Sequence, residues 1–339
     1  MAKRPGVSIR PRLPAVLAAV LFLVLYMGLG WRCEVQPDKS SVVLRPGMFP
    51  WATEDIADLC LLREGDLLHG WVDASNGSGY DIHHILSFDD GLTWKDSFEG
   101  PLIGRDAEWA RNHVTSPAVL RGNGKLEMWY GATSHPRLAV GYQVGHASSK
   151  GSEGWIKDPN PVLALSGAEG NDNFSIADPC VLAEGSGYRM WYSGAAEFKG
   201  LPLFRVWTAE SSDGINWTGR TEVVDDLLLC AAPHVERFGG TDHLWYAVAR
   251  QVQAGAFLEL RYRYRRWFTG WGWFPWSRQT ILANGDLGPP ASHSLYSPCI
   301  HLKEEGDGWL YVSVHDSQGV WRVARMPMRL RRTCWGISV

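Results

Sequence analysis

The chain has 339 residues, 45% of them hydrophobic, with 37 Gly, 19 Pro and no low-complexity run, which provides for a large core with many turns and excludes a disordered or collagen-like chain. All 36 acidic residues but only 24 of the 33 basic ones lie between residues 34 and 324, and a body this acidic argues against a nucleic-acid partner. Six cysteines occur without a C-x-x-C pair or zinc-type Cys/His spacing, so neither metal nor cofactor is expected.

At the N-terminus Lys3, Arg4, Arg10 and Arg12 precede nineteen uncharged residues, Leu13 to Trp31. That length crosses a bilayer, so residues 1–33 are expected to form an uncleaved transmembrane or signal-anchor segment with its basic end cytoplasmic. Residues 34–339 then form one extracytoplasmic domain, or a secreted one if cleavage occurs near Gly28-Leu29-Gly30. Membrane is thus one expected partner.

Beyond the anchor a phrase repeats. Pro117 leads to Trp129-Tyr130, Pro179 to Trp191-Tyr192 and Pro233 to Trp245-Tyr246, twelve residues from Pro to Trp each time. Leu59 to Trp71-Val72 and Pro298 to Leu310-Tyr311 complete five copies at separations of 58, 62, 54 and 65 residues. Each copy reads as a short apolar strand, a Gly-rich turn such as Gly185-Ser186-Gly187, and a second strand ending in the aromatic pair, with further strands behind. Such a period predicts an all-β, five-bladed β-propeller. The last unit is short, and a strand from Ser41 to Leu44 is expected to complete it and close the ring.

Two turns, Ser87 to Trp94 ("SFDDGLTW") and Ser211 to Trp217, carry Asp-box patterns. Their Asp satisfies turn amides and their Gly supplies a positive φ, which makes them structural. Of 18 Trp, eight end second strands or close turns; among the other ten, Trp51, Trp109, Trp267, Trp271 and Trp276 are candidate sugar platforms.

First strands of propeller blades line the central channel, so the residues before the proline slot should converge there. They are Asp58, Ser116, Asp178, Ala232 and Ser297, which makes Asp58 and Asp178 the leading site candidates. Just upstream, Asp55, Arg111, His113, Asn173, His293 and Tyr296 are expected to rim the mouth, with Asp55 and His113 facing across it. Cys60, Cys180 and Cys299 share the slot after the proline and read as tight inner-strand packing.

The D-P-x-V…W-Y phrasing across residues 41–326 resembles the five-bladed propeller glycosidases, especially glycoside hydrolase family 43 and relatives acting on arabinose-, xylose- or fructose-containing glycans. The resemblance implies Asp58 as general base and Asp178 as the residue that tunes pKa and orientation. The family's acid, a Glu in Glu-Gly-Pro, is missing: the slot reads Ala231-Ala232-Pro233, with His234 the nearest substitute. General acid catalysis contributes about 10²- to 10⁴-fold, so the chain either uses another acid or binds a carbohydrate without cutting it. The Asp boxes also resemble those of sialidases, but sialidase propellers have six blades.

Overall fold

The computed structural model describes residues 29–97, 100–122, 124–149, 154–167, 170–198, 201–224, 229–249, 257–265, 278–288, 293–303, 305–334 and 337–338. The expected anchor up to residue 28 and Trp267, Trp271 and Trp276 lie outside these. Among the described residues no helix is long and apolar enough to cross a membrane.

Two strands open the described chain, β1 (Leu29–Val35) and β2 (Ser41–Leu44), and five hairpin-based blades follow, the first two joined into one sheet by a parallel pairing of Tyr80 with His113. Blade one is β3 (Asp55–Glu64), β4 (Leu67–Ser75), β5 (Tyr80–Ser87) and β6 (Lys95–Asp96); blade two is β7 (His113–Gly122), β8 (Lys125–Thr133), β9 (Gln143–Ser149) and β10 (Trp155–Lys157). Blade three is β11 (Ser175–Glu184), β12 (Gly187–Phe198), β13 (Leu201–Ser211) and β14 (Thr218–Glu222), and blade four is β15 (Leu229–Phe238), β16 (Thr241–Ala249), β17 (Glu259–Arg265) and β18 (Gln279–Ala283). Blade five has β19 (Ser294–Leu302), β20 (Asp307–His315) and β21 (Trp321–Cys334), with β22 (Ile337–Ser338) folded back on the end of β21. The first strands form a closed ring in which β3 contacts β7, β7 contacts β11, and so on through β15 and β19 back to β3.

The ring closes as the sequence suggests. β2 lies antiparallel to β21, Ser41 opposite Arg325 and Leu44 opposite Val323, so blade five takes its outer strand from the other end of the chain. β1 extends this edge, with Leu29 opposite Cys334 and Val35 opposite Met328. Residues 29–33, grouped by sequence with the membrane segment, therefore belong to the propeller: Trp31 donates to Thr241 Oγ1 and Cys33 is buried beneath Trp245. A sheet edge sandwiched between blades demands the same apolar residues as a bilayer, which is why the two read alike.

Second-strand aromatics join the blades. Trp71, Trp129, Trp191 and Trp245 are fully buried, each in a cluster with side chains of the following blade. In blade five the register differs from the sequence alignment: Cys299 pairs with Tyr311, because the β19–β20 turn is one residue longer than its counterparts, and Tyr311 fills the tryptophan slot. The Asp boxes are local braces. Asp89 accepts from Thr93 N and Oγ1, and Asp213 from Ile215 N and Asn216 N.

Candidate functional site

One backbone device recurs in all five inner strands. Antiparallel pairing slips at Ala57/Cys60, Thr115/Ala118, Ala177/Cys180, Ala231/His234 and Tyr296/Cys299, a β-bulge in each blade. At every bulge a non-glycine residue adopts a left-handed conformation: Asp58 (φ 44°), Ser116 (52°), Asp178 (52°), Ala232 (51°) and Ser297 (43°). Each such residue costs on the order of 1–3 kcal/mol and persists where its surroundings hold it. What holds it is the neighbouring blade. Asp58 N donates to Ser313 Oγ (2.9 Å), Ser116 N to Asp73 Oδ2 (3.0 Å) and Ala232 N to Ser193 Oγ (2.8 Å). The three acceptors occupy one slot, two residues beyond the second-strand aromatic.

The bulges bring Asp58 and Asp178 together on the axis, both buried. Ser116 Oγ lies 2.7 Å from Asp58 Oδ2 and 3.0 Å from Asp178 Oδ1. A hydroxyl has one proton to give, so both contacts are favourable only when one carboxyl is itself protonated. Asp178 Oδ2 also accepts from Ser193 Oγ and Tyr296 OH, both at 2.6 Å. Asp73, on β4, is the third carboxyl: it bonds to Asp58, and its Oδ1 has no donor of its own among the described residues. Burial, and then the charge of Asp178, push the Asp58 pKa up to about 6; burial, and then Asp58, hold Asp73 well above the usual carboxylate range.

These carboxyls form the floor of a cavity of about 270 Å³ walled by Tyr80, Tyr142, Tyr296, Phe204, Phe257 and Trp321. Among the described residues no basic side chain lines it. Burial is the main cause that raises the pKa of Tyr80, Tyr142 and Tyr296, so the phenols remain neutral donors. A floor of acceptors beneath a wall of apolar ring faces suits a small polyhydroxylated ligand.

Of the residues expected from sequence, Asp58, Asp178 and Tyr296 meet here. Asp55 stands behind the wall, accepting from Tyr80 OH (2.7 Å) and Trp321 N (2.8 Å). It does not face His113 across the channel, because the two sit in adjacent blades with Tyr80 between them. His113 is buried, bonded to Pro136 O (3.2 Å), and packs on Tyr80 and Tyr142; burial lowers its pKa. Trp51 is not a free platform: it is stacked on Phe49 and His83, and its indole N–H donates to Asp96 (2.7 Å). Half-buried Asn173 and exposed His293, whose ring is 5.3 Å from that of His315, do not line the cavity. Arg111 lies in a separate cleft with Trp109.

His234 is below the floor. A second cavity of about 240 Å³ shares Asp58, Ser116 and Asp178 as its ceiling and is lined further down by Cys60, Cys180, His234 and Glu236. There, in every blade but the second, where the residue is Ala118, the side chain after the proline slot accepts an N–H from the next blade: Val119 N to Cys60 Sγ (3.3 Å), Val235 N to Cys180 Sγ (3.2 Å), Ile300 N to His234 Nε2 (3.3 Å), and Leu61 N to Cys299. His234 therefore does in blade four what cysteine does in three others, and is no substitute for the missing acid. Among the described residues no group of three metal-binding side chains converges.

Sequence reasoning missed Asp73 and most of the wall. The signal for Asp73 was present in the slot holding Asp73, Ser193 and Ser313, visible once blade five is shifted by one residue. Tyr80, Tyr142, Phe204, Phe257 and Trp321 come from segments outside the repeated phrase.

No family model matches the chain. Two uncharacterised proteins of Mycobacterium tuberculosis, from strains CDC 1551 and H37Rv, are 27% and 26% identical over 196 residues, 55% of this chain; the chain spans 62% of their length. Solved structures align over most of the chain. A protein solved as an RGII complex superimposes with a TM-score of 0.68 at 16% identity (87% of this chain, 96% of that one). A thermostable family-43 glycoside hydrolase gives 0.61 at 15% (84% and 91%), and the Coprinopsis cinerea family-62 α-L-arabinofuranosidase catalytic domain 0.63 at 12% (88% and 96%). The fold is that of the propeller glycoside hydrolases of families 43 and 62.

Proposed function

We propose that this protein is a glycan-binding propeller that takes one sugar residue in the axial pocket and holds it without hydrolysis. The observation that carries this reading is the floor itself. Asp58, Asp73 and Asp178 are bonded to one another or to Ser116, Ser193 and Tyr296, while the slot that would present a proton-donating carboxyl is the buried Ala231. Sugar hydroxyls can donate to Asp58 and Asp178, and apolar ring hydrogens can pack on the aromatic wall. Several structural neighbours are arabinanases or arabinofuranosidases by name, which favours arabinose-containing glycans first. On this reading the N-terminal segment delivers the propeller to the outer side of a membrane.

The test is calorimetric titration of the full chain with arabinose-, xylose- and fructose-containing oligosaccharides, with chromatography of the mixtures for products. Binding without product, lost in Asp58→Ala, is the expected result. One observation favours hydrolysis instead: with a pKa pushed to about 6, Asp58 retains a proton in mildly acidic solution and could deliver it. Product formation that Asp58→Ala abolishes would establish that second reading.

A further inference from the structure

A cleft of about 670 Å³ opens on blade two, between the 104–111 segment, Ser134 and the 157–160 turn. Its fixed feature is Trp109. The indole N–H donates to Pro159 O (3.1 Å), and the ring lies nearly parallel to that of buried Tyr130, with centroids 6.4 Å apart. This layering depends on Gly145, since a Cβ there would come within 2.5 Å of Tyr130 and 2.8 Å of Trp109. Trp109 is thus held in place by Tyr130 and by its own N–H while its ring lines the cleft.

The charges of the cleft are nearly all paired. Lys157 bonds Asp106, and Asp158 accepts from His146 Nδ1 (2.6 Å). That leaves exposed Glu108 and exposed Arg111, one of each sign, with no ion pair among the described residues. Such a balance favours a neutral ligand over an anion. A planar carboxylate and a planar guanidinium beside an indole supply acceptors, donors and a flat apolar surface, the needs of a sugar residue.

The cleft and the axial pocket are neighbours. Ser134 lines the cleft, while Leu138 and Ala139, four and five residues further along the same loop, line the pocket. Four residues of chain span at most about 14 Å. We propose that the cleft is a second sugar subsite, so that the ligand is a neutral oligosaccharide laid over the 134–139 loop with one residue in the pocket and another on Trp109. This rests on the glycan-binding reading above and adds chain length to it.

The experiment measures affinity of the full chain for arabinose and arabinohexaose, and for xylose and xylohexaose. The hexaose of the preferred sugar should bind at least tenfold more tightly than its monosaccharide. Trp109→Ala should abolish that gain and leave monosaccharide affinity within twofold, and Arg111→Gln, an exposed change that cannot disturb the core, should reduce the gain by a smaller factor. A monosaccharide that binds as tightly as its hexaose, or a hexaose gain unaffected by both variants, overturns the subsite and leaves the axial reading standing. No binding by any of the four sugars, with longer glycans equally inert, removes the glycan reading and the subsite with it.

Discussion

The two cavities along the axis meet at Asp58, Ser116 and Asp178, and the inner-strand slots that mark them lie two residues apart. On the upper side, the left-handed slot carries Asp58 and Asp178, which face the axial pocket; below the floor, the slot after the proline carries Cys60, Cys180, His234 and Cys299 aimed at backbone N–H groups of the next blade. The upper side concentrates like charges that destabilise one another. The lower side satisfies buried donors that would otherwise be orphaned. A residue's role here follows from which side of the bulge it occupies more than from its chemical type, and the histidine among the thiols shows this.

Three substitutions probe the contrast. Asp58→Asn has the largest expected effect on stability. The folded Asp58 pKa is raised to about 6 from 3.8, so its favourable contribution is complete below about pH 4 and is lost as pH rises through 6. At pH 7 the variant should be more stable than wild type by on the order of 3 kcal/mol, and the difference should vanish by pH 4 in denaturant melts. A pH-independent difference would mean that Asp58 is not strained by its neighbours. On the lower side, Cys180→Ala orphans Val235 N and should cost about 1–3 kcal/mol at every pH while leaving sugar affinity unchanged. His234→Cys restores the residue found in three other blades and should change stability by less than about 1 kcal/mol, again with sugar affinity intact. A tenfold loss of sugar affinity in His234→Cys would place His234 in the binding machinery.

Much of the architecture was legible because each blade must bury an aromatic against the next, which forces Trp71, Trp129, Trp191 and Trp245 into one register. Asp58 and Asp178 were legible for the same reason, since a residue beside the repeated proline inherits the repeat's geometry. Asp55 and His113 share a sequence register too, yet they do not meet. They are separated by Tyr80, which approaches from a neighbouring strand and has no place in the repeated phrase. Leu310 was aligned with the tryptophans because a one-residue change of turn length is invisible without pairing partners. The remaining wall side chains arrive from third strands and loops, where nothing periodic announces them.

The pairing of Leu29 with Cys334 carries a directional consequence. β21 runs from Trp321, at the rim of the axial pocket, to Cys334 at its far end, and β1 enters beside that far end, against the β15–β16 turn at Gly239. The described chain therefore begins on the underside of the disc. A tether attached there would hold the molecule like a cup on a stem, with its opening turned toward the surroundings.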